Sequence, residues 1–140
     1  MQQWIGYVNV QSQPVYFHVQ RFHHYSVKNS VIPFEVERLN IGAAINAQTG
    51  VFTTPRSGIY FFSFNGISHN DDGKSSLRIQ LQLNGKPLAT AYGGFESSTV
   101  SLQTTIKLNR QDKISLWLSW GSLFHLANHL TGFLLQEQHL

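Results

Sequence analysis

The stretch Val51 to Gly66, VFTTPRSGIYFFSFNG, decides the fold. Tyr60, Phe62 and Phe64 fall on every second position, with Ile59, Phe61 and Ser63 between them. Successive side chains of a strand point to opposite faces, so this spacing predicts a strand with one aromatic face turned into a core. Phe52 joins that face, and Gly58 is expected to give a tight turn into the strand. The opposite face carries Ile59 and Phe61, where a solvated face would favour polar residues. Their presence predicts that this face is covered, by neighbouring subunits or by the N-terminal extension of the same chain.

The same period runs outward in both directions. Val15, Phe17 and Val19 alternate with Tyr16 and His18, and Leu77, Ile79, Leu81 and Leu83 alternate with Arg78, Gln80 and Gln82. Leu102, Thr104, Ile106 and Leu108 repeat the pattern, as do Ile114, Leu116 and Leu118. The breaks have turn chemistry: Asn84-Gly85, the strongest hairpin signal, then Asn65-Gly66, Asp72-Gly73, Gly93-Gly94 and Asn109 to Asp112. Pro33, Pro55 and Pro87 sit at the edges of runs, where a missing N–H does least harm. No segment holds a helical period over three turns. Many short strands with frequent turns predict an all-β sandwich or jelly roll. The chain has 140 residues, which suits one domain, and its 12% of charged residues is about half the usual share. That scarcity also points to surface covered by something other than water. Residues 1–13 are less patterned and are expected to form an extension that adds an edge strand.

Several functions are excluded on chemistry. The ten Lys and Arg residues are scattered, giving a formal net charge of +3 without the clustered stripe of a nucleic-acid groove. There is no cysteine, hence no disulfide or thiolate nucleophile. No stretch is long and apolar enough to cross a membrane as a helix. The seven acids lie mainly at strand ends and turns, and no Gly-x-Ser-x-Gly elbow or phosphate-cradling loop occurs, so no enzyme and no cofactor are expected. His125 and His129 are spaced i, i+4, which converges on a metal only on a helix. They sit in LFHLANHL, expected between two strands, so no metal site is expected and they remain ligand-contact candidates. Asp71 and Asp72, in the one acidic loop cluster, are expected to make a turn. Trp117 points away from the Ile114, Leu116 and Leu118 face, as an outward anchor for a ligand or an interface. Trp120 is assigned, with Ile59 and Phe61, to a subunit interface.

The residues Phe34, Asn40, Ile45, Phe52, Gly58, Tyr60, Phe62 and Phe64 are separated by five, four, six and five residues and then by the final alternation. Together they resemble the signature of the globular head of complement C1q almost position for position. Ile45 stands where that family usually has an aromatic residue or Leu, an apolar-for-apolar change. Pro14 to Arg21, Val31 to Phe34 and Leu81 to Gly94 are similar to its flanking segments, and Thr131 to Glu137 to its closing strand with Gly132 and Phe133. The match spans about residues 14–137. The resemblance implies a ten-stranded jelly roll of the tumour necrosis factor-like superfamily, built into a homotrimer or heterotrimer, over residues 14–140. It also implies an extracellular, secreted protein, although Met1 to Gly6 lacks the features of a leader peptide. The expected role is a recognition module of innate-immune type that meets a microbial or cell-surface ligand through Ser68 to Ser76, Gly93 to Thr99 and Trp120 to His129. The alternatives are a hormone-like or synaptic-organiser ligand for a protein receptor, and a structural trimerisation head. Some members of the family hold calcium with acids in the loop before the last strand. Ser119 to Thr131 contains none, so that site does not carry over.

Overall fold

The computed structural model turns the alternation of Gly58 to His69 into one strand of twelve residues, its buried and part-buried positions strictly alternating. Residues 13–69, 76–94, 98–125 and 128–138 are described; the proposed edge strand of the N-terminal extension, Asp71 and Asp72 lie outside them. The strands are β1 (Tyr16–Arg21), β2 (Ser30–Val31), β3 (Val36–Ile41), β4 (Ile45–Asn46), β5 (Val51–Thr53), β6 (Gly58–His69), β7 (Leu77–Leu83), β8 (Lys86–Gly93), β9 (Thr99–Leu108), β10 (Lys113–Trp120), β11 (Ser122–Leu123) and β12 (Asn128–Glu137). They form two antiparallel sheets. In the first, β9, β6, β12, β1 and β3 lie side by side and β11 pairs with the end of β6; in the second the order is β4-β5-β10-β7-β8, with β2 on β10. The all-β jelly roll expected from the sequence is present. Ten strands were expected; among the described residues there are twelve strand segments, three of which, β2, β4 and β11, are two-residue pieces.

The inner faces meet in an aromatic centre. The Phe52 ring lies edge-on to Tyr60 and Phe62 at 5.6 and 5.3 Å, and Phe17 tilts against Phe52 at 5.5 Å. Phe34, Ile45 and Phe64 are buried with them, among Ile79, Leu81, Leu116 and Leu118 from the second sheet. Filling the gap between sheets with large rings removes much apolar area from water, the dominant favourable term in such a fold. The Tyr60 hydroxyl donates to the Arg56 carbonyl at 2.7 Å, so the one polar atom on the ring is satisfied. Asn40 holds its signature place for a different reason. Its amide donates to the Ile45 carbonyl at 2.8 Å and accepts from the Ile45 N–H at 3.4 Å, closing the turn between β3 and β4 as a partner strand would.

Four expectations are corrected. Gly58 is not a turn residue: it opens β6, and a Cβ there would stand 2.5 Å from the Gln136 carbonyl oxygen, so its role is close approach to β12. Asn65-Gly66 is not a break, since β6 runs through it to His69. Phe133 does not belong to the core; its side chain is 38% exposed on the outer face of the first sheet. His129 is inside β12 and not in a segment between strands. Gly132 does serve the core. A Cβ there would meet the Phe17 ring at 2.6 Å and the Phe62 ring at 2.7 Å. Gly132→Ala therefore forces these rings apart and should destabilise the fold by roughly 1–3 kcal/mol, the usual cost of overpacking. Denaturant unfolding checks this; an unchanged midpoint would show that the rings have room to move.

Candidate functional site

Three surfaces collect the candidate residues. The first is the outer face of the β9-β6-β12-β1-β3 sheet. Register places Ile41, Tyr16, Phe133, Phe61 and Thr105 opposite one another across five strands. Tyr16, Ile41 and Phe133 are 40%, 38% and 38% exposed, and the Phe61 and Phe133 rings touch at 5.4 Å between centroids. Leu39 and Leu135 are also exposed, and Ile59 is half-buried. The result is a continuous apolar band on one sheet, unlike the scattered exposed hydrophobes of an ordinary surface. Ile59 and Phe61 were legible in the sequence as members of it. Tyr16, Leu39, Ile41 and Leu135 were not assigned to it. Their positions on β1, β3 and β12 became informative only with the register.

Beside the band, His18 on β1 and His129 on β12 meet edge to face, 5.3 Å between ring centroids. His18 Nε2 and His129 Nδ1 are both shielded from solvent and have no hydrogen-bond partner. Burial lowers the His18 pKa from its ordinary 6.5, and the neighbouring His129 and Arg38 lower it further. Each of these disfavours the charged ring.

The second surface is one end of the sandwich, where the three display loops start and finish. The Ser68 N–H donates to the Ser98 carbonyl at 2.8 Å, the Ser122 hydroxyl to the His69 carbonyl at 2.8 Å, and the Trp120 indole to the Ser76 hydroxyl at 3.3 Å. Buried Asn128 ties two of the segments together: its Oδ1 accepts from the Ile67 N–H at 2.9 Å and its Nδ2 donates to the Phe124 carbonyl. His125 is exposed at this end, its ring 4.1 Å from Phe124, whereas His129 lies on the sheet face with His18. The two histidines are thus not brought together as a pair. Among the described residues no group of three His, Cys, Asp or Glu side chains is placed to hold a metal. Below this end Glu35 anchors the β1–β3 connection, accepting from the Phe22 N–H at 2.7 Å and pairing with Arg21 at 2.9 Å. Burial alone would raise its pKa; the Phe22 N–H, His23 and Arg21 outweigh that and lower it.

The third surface is the outer face of the second sheet. Trp117 pairs in register with Val31 and Gln80 and is half-buried there. Trp120 lies on the same face, beside Arg78 and Tyr92, and so on the sheet opposite Ile59 and Phe61. The structure does not gather the three assigned interface residues on one face. A further cleft of about 750 Å³, lined by residues such as Glu37, Asn46, Gln48, Thr53 and Arg110, opens around the loops next to β4 and β5.

Two sheets with an apolar outer band and loops gathered at one end define a jelly-roll binding head. A family model described as the C1q domain matches residues 16–135, and the chain belongs to that family. C1q-domain proteins are non-enzymatic binding modules, which is what the absence of catalytic motifs led one to expect. Human complement C1q tumor necrosis factor-related protein 3 is 33% identical over 122 residues, covering 81% of this chain and 48% of the relative, so the chain spans about half the relative's length. The globular domain of zebrafish complement 1qA protein superposes with a TM-score of 0.74 at 19% identity, over 89% of this chain and 99% of that one. Eiger TNF from S. frugiperda reaches the same TM-score at 9% identity, over 92% and 97% of the two chains. The last two likenesses concern the fold.

The histidine pair yields a pH test. A folded-state pKa below the unfolded value means that the unfolded chain binds more protons, so stability rises with pH. His18's contribution is whole above pH 6.5 and is lost as pH falls from there through the folded-state value. Titration of His18 by NMR should give a midpoint below 6.5, and His129→Gln should move it upward. A midpoint indifferent to that change would mean that the rings do not interact.

Proposed function

We propose that this chain is a secreted, self-trimerising recognition head whose three copies pack through the β9-β6-β12-β1-β3 faces and present their loop ends together to a microbial or cell-surface ligand. The observation that carries the reading is the row Ile41, Tyr16, Phe133 and Phe61, an apolar strip across four paired strands with nothing in the described chain over it. Such a strip in water is a liability that assembly removes. Membership of the C1q-domain family supports a trimer as the form of that assembly. Three loop ends held rigidly side by side would bind an array of repeated ligands with avidity no single end possesses. Trp120 then lies away from the packed faces, free for recognition. Extracellular placement rests on the family and on the similarity to the human relative.

A second reading, a ligand for one protein receptor, is favoured by that same similarity to a tumor necrosis factor-related protein. The two separate cleanly. Retention of the purified protein on microbial or glycan arrays supports the first; recovery of one tight-binding receptor from cell surfaces, with no array binding, supports the second.

Assembly itself is tested by substitution. Light scattering of the native chain should give three times the monomer mass. Phe61→Asp buries an unpaired charge in each contact, at roughly 3–5 kcal/mol apiece, and should yield monomers that keep their strand circular dichroism. A Phe61→Asp variant that stays trimeric would place the packed face elsewhere.

A further inference from the structure

Trp120, Arg78 and Tyr92 lie in one transverse row of the second sheet, paired Trp120 to Arg78 and Arg78 to Tyr92. Simple alternation does not put Trp120 there. Leu118 pairs with Ile79, so an unbroken ladder would set residue 120 opposite Leu77 with its side chain in the core. A register shift between Leu118 and Trp120 instead advances the strand by one residue and turns the indole outward. Bulges re-aim side chains in this way and are over-represented beside binding sites. Gly121, at φ 84°, carries the chain away immediately afterwards; a Cβ there would stand 2.5 Å from the Ser76 carbonyl oxygen. The indole N–H is held by the Ser76 hydroxyl at 3.3 Å, which fixes the plane of the ring.

The row is aromatic, cationic, aromatic. The Arg78 guanidinium carbon lies 5.0 Å from the Trp120 ring centre and 6.0 Å from that of Tyr92. Trp120 is 40% and Tyr92 66% exposed. Arg78 Nε is shielded from solvent without a hydrogen-bond partner, and among the described residues no carboxylate pairs with the head. Arg21 and Arg56, by contrast, each meet a glutamate. A guanidinium offers donors in a planar fork that matches a carboxylate, and ring contacts hold that fork in place without occupying its outer donors.

We infer that this row is a binding site for an acidic sugar, whose ring carboxylate pairs with Arg78 while its C–H face lies on Trp120 or Tyr92. The inference rests on the recognition reading above and names the ligand class and the place. A sheet face with two exposed rings beside a guanidinium suits a small saturated ring with a C–H face and one negative charge. A peptide carboxylate from a protein partner would use Arg78 but has no need of an aromatic platform beside it.

The test is titration of the 15N-labelled protein with methyl β-glucuronide and, separately, with the neutral methyl β-glucoside, following the Trp120 indole N–H signal. The glucuronide should shift that signal saturably, with an affinity at least ten-fold above the glucoside. Arg78→Gln should remove the preference and Tyr92→Ala should weaken both sugars, while the remaining amide signals show each variant folded. Equal affinity for the two sugars, an undiminished preference in Arg78→Gln, or a response only to an acetylated Glu-containing tripeptide would overturn the assignment; the last would give the row to a protein partner. Light scattering on the same samples keeps the inferences apart. A monomer that prefers the glucuronide defeats the trimer and leaves the site standing, and a trimer without the preference does the reverse.

Discussion

Everything in this molecule depends on the packing of the β6 aromatics between two sheets. Tyr60, Phe62 and Phe64 are fully buried, with Phe52 and Phe17 locked against them at ring distances of 5.3 to 6.3 Å. Because a strand's side chains alternate without slack, sealing the core with these residues commits Ile59 and Phe61 to the outside. The inner face thus creates the outer problem. Pairing with β12 and β1 then extends it, since register sets Phe133 and Tyr16 beside Phe61. An exposed apolar band is a by-product of the same geometry that makes the fold stable, and covering it is the simplest account of why the residues there stay apolar.

The core and the fold were legible because both follow from a two-residue period and from turn chemistry. Asn84 and Gly85 take positive φ angles of 51° and 84°, as a tight hairpin between β7 and β8 requires. Where the reading failed, the cause was a departure from that regular period or a contact between distant strands. Gly58 was read as a turn because glycine often is one; only the approach of Gln136 reveals the spacing role. Phe133 follows Gly132 in the closing strand, and parity alone sets it outside once Gly132 is seen to face the Phe17 and Phe62 rings. Trp120 was grouped with Ile59 and Phe61, and only the pairing of β10 with β7 shows that it stands on the other sheet.

The candidate sites were less legible than the fold for the same reason. Arg78 and Tyr92 drew no notice in the sequence, since an isolated arginine and an isolated tyrosine are ordinary surface residues. The pairing of β10, β7 and β8 brings them into one row with Trp120. His18 and His129 are separated by most of the chain and meet only because β1 and β12 are neighbours. The two outer faces differ in chemistry: one carries an apolar band, while the other carries aromatic and cationic groups near the loop end.

The most direct measurement is hydroxyl-radical footprinting of the native protein in dilute solution, with Tyr92 as the internal reference for an open ring. The account predicts that Tyr16 and Phe133, 40% and 38% exposed in the single chain, are oxidised far more slowly than their exposure implies, because sister subunits cover them. Oxidation of both at the rate their single-chain exposure implies, relative to Tyr92 at 66%, would contradict it.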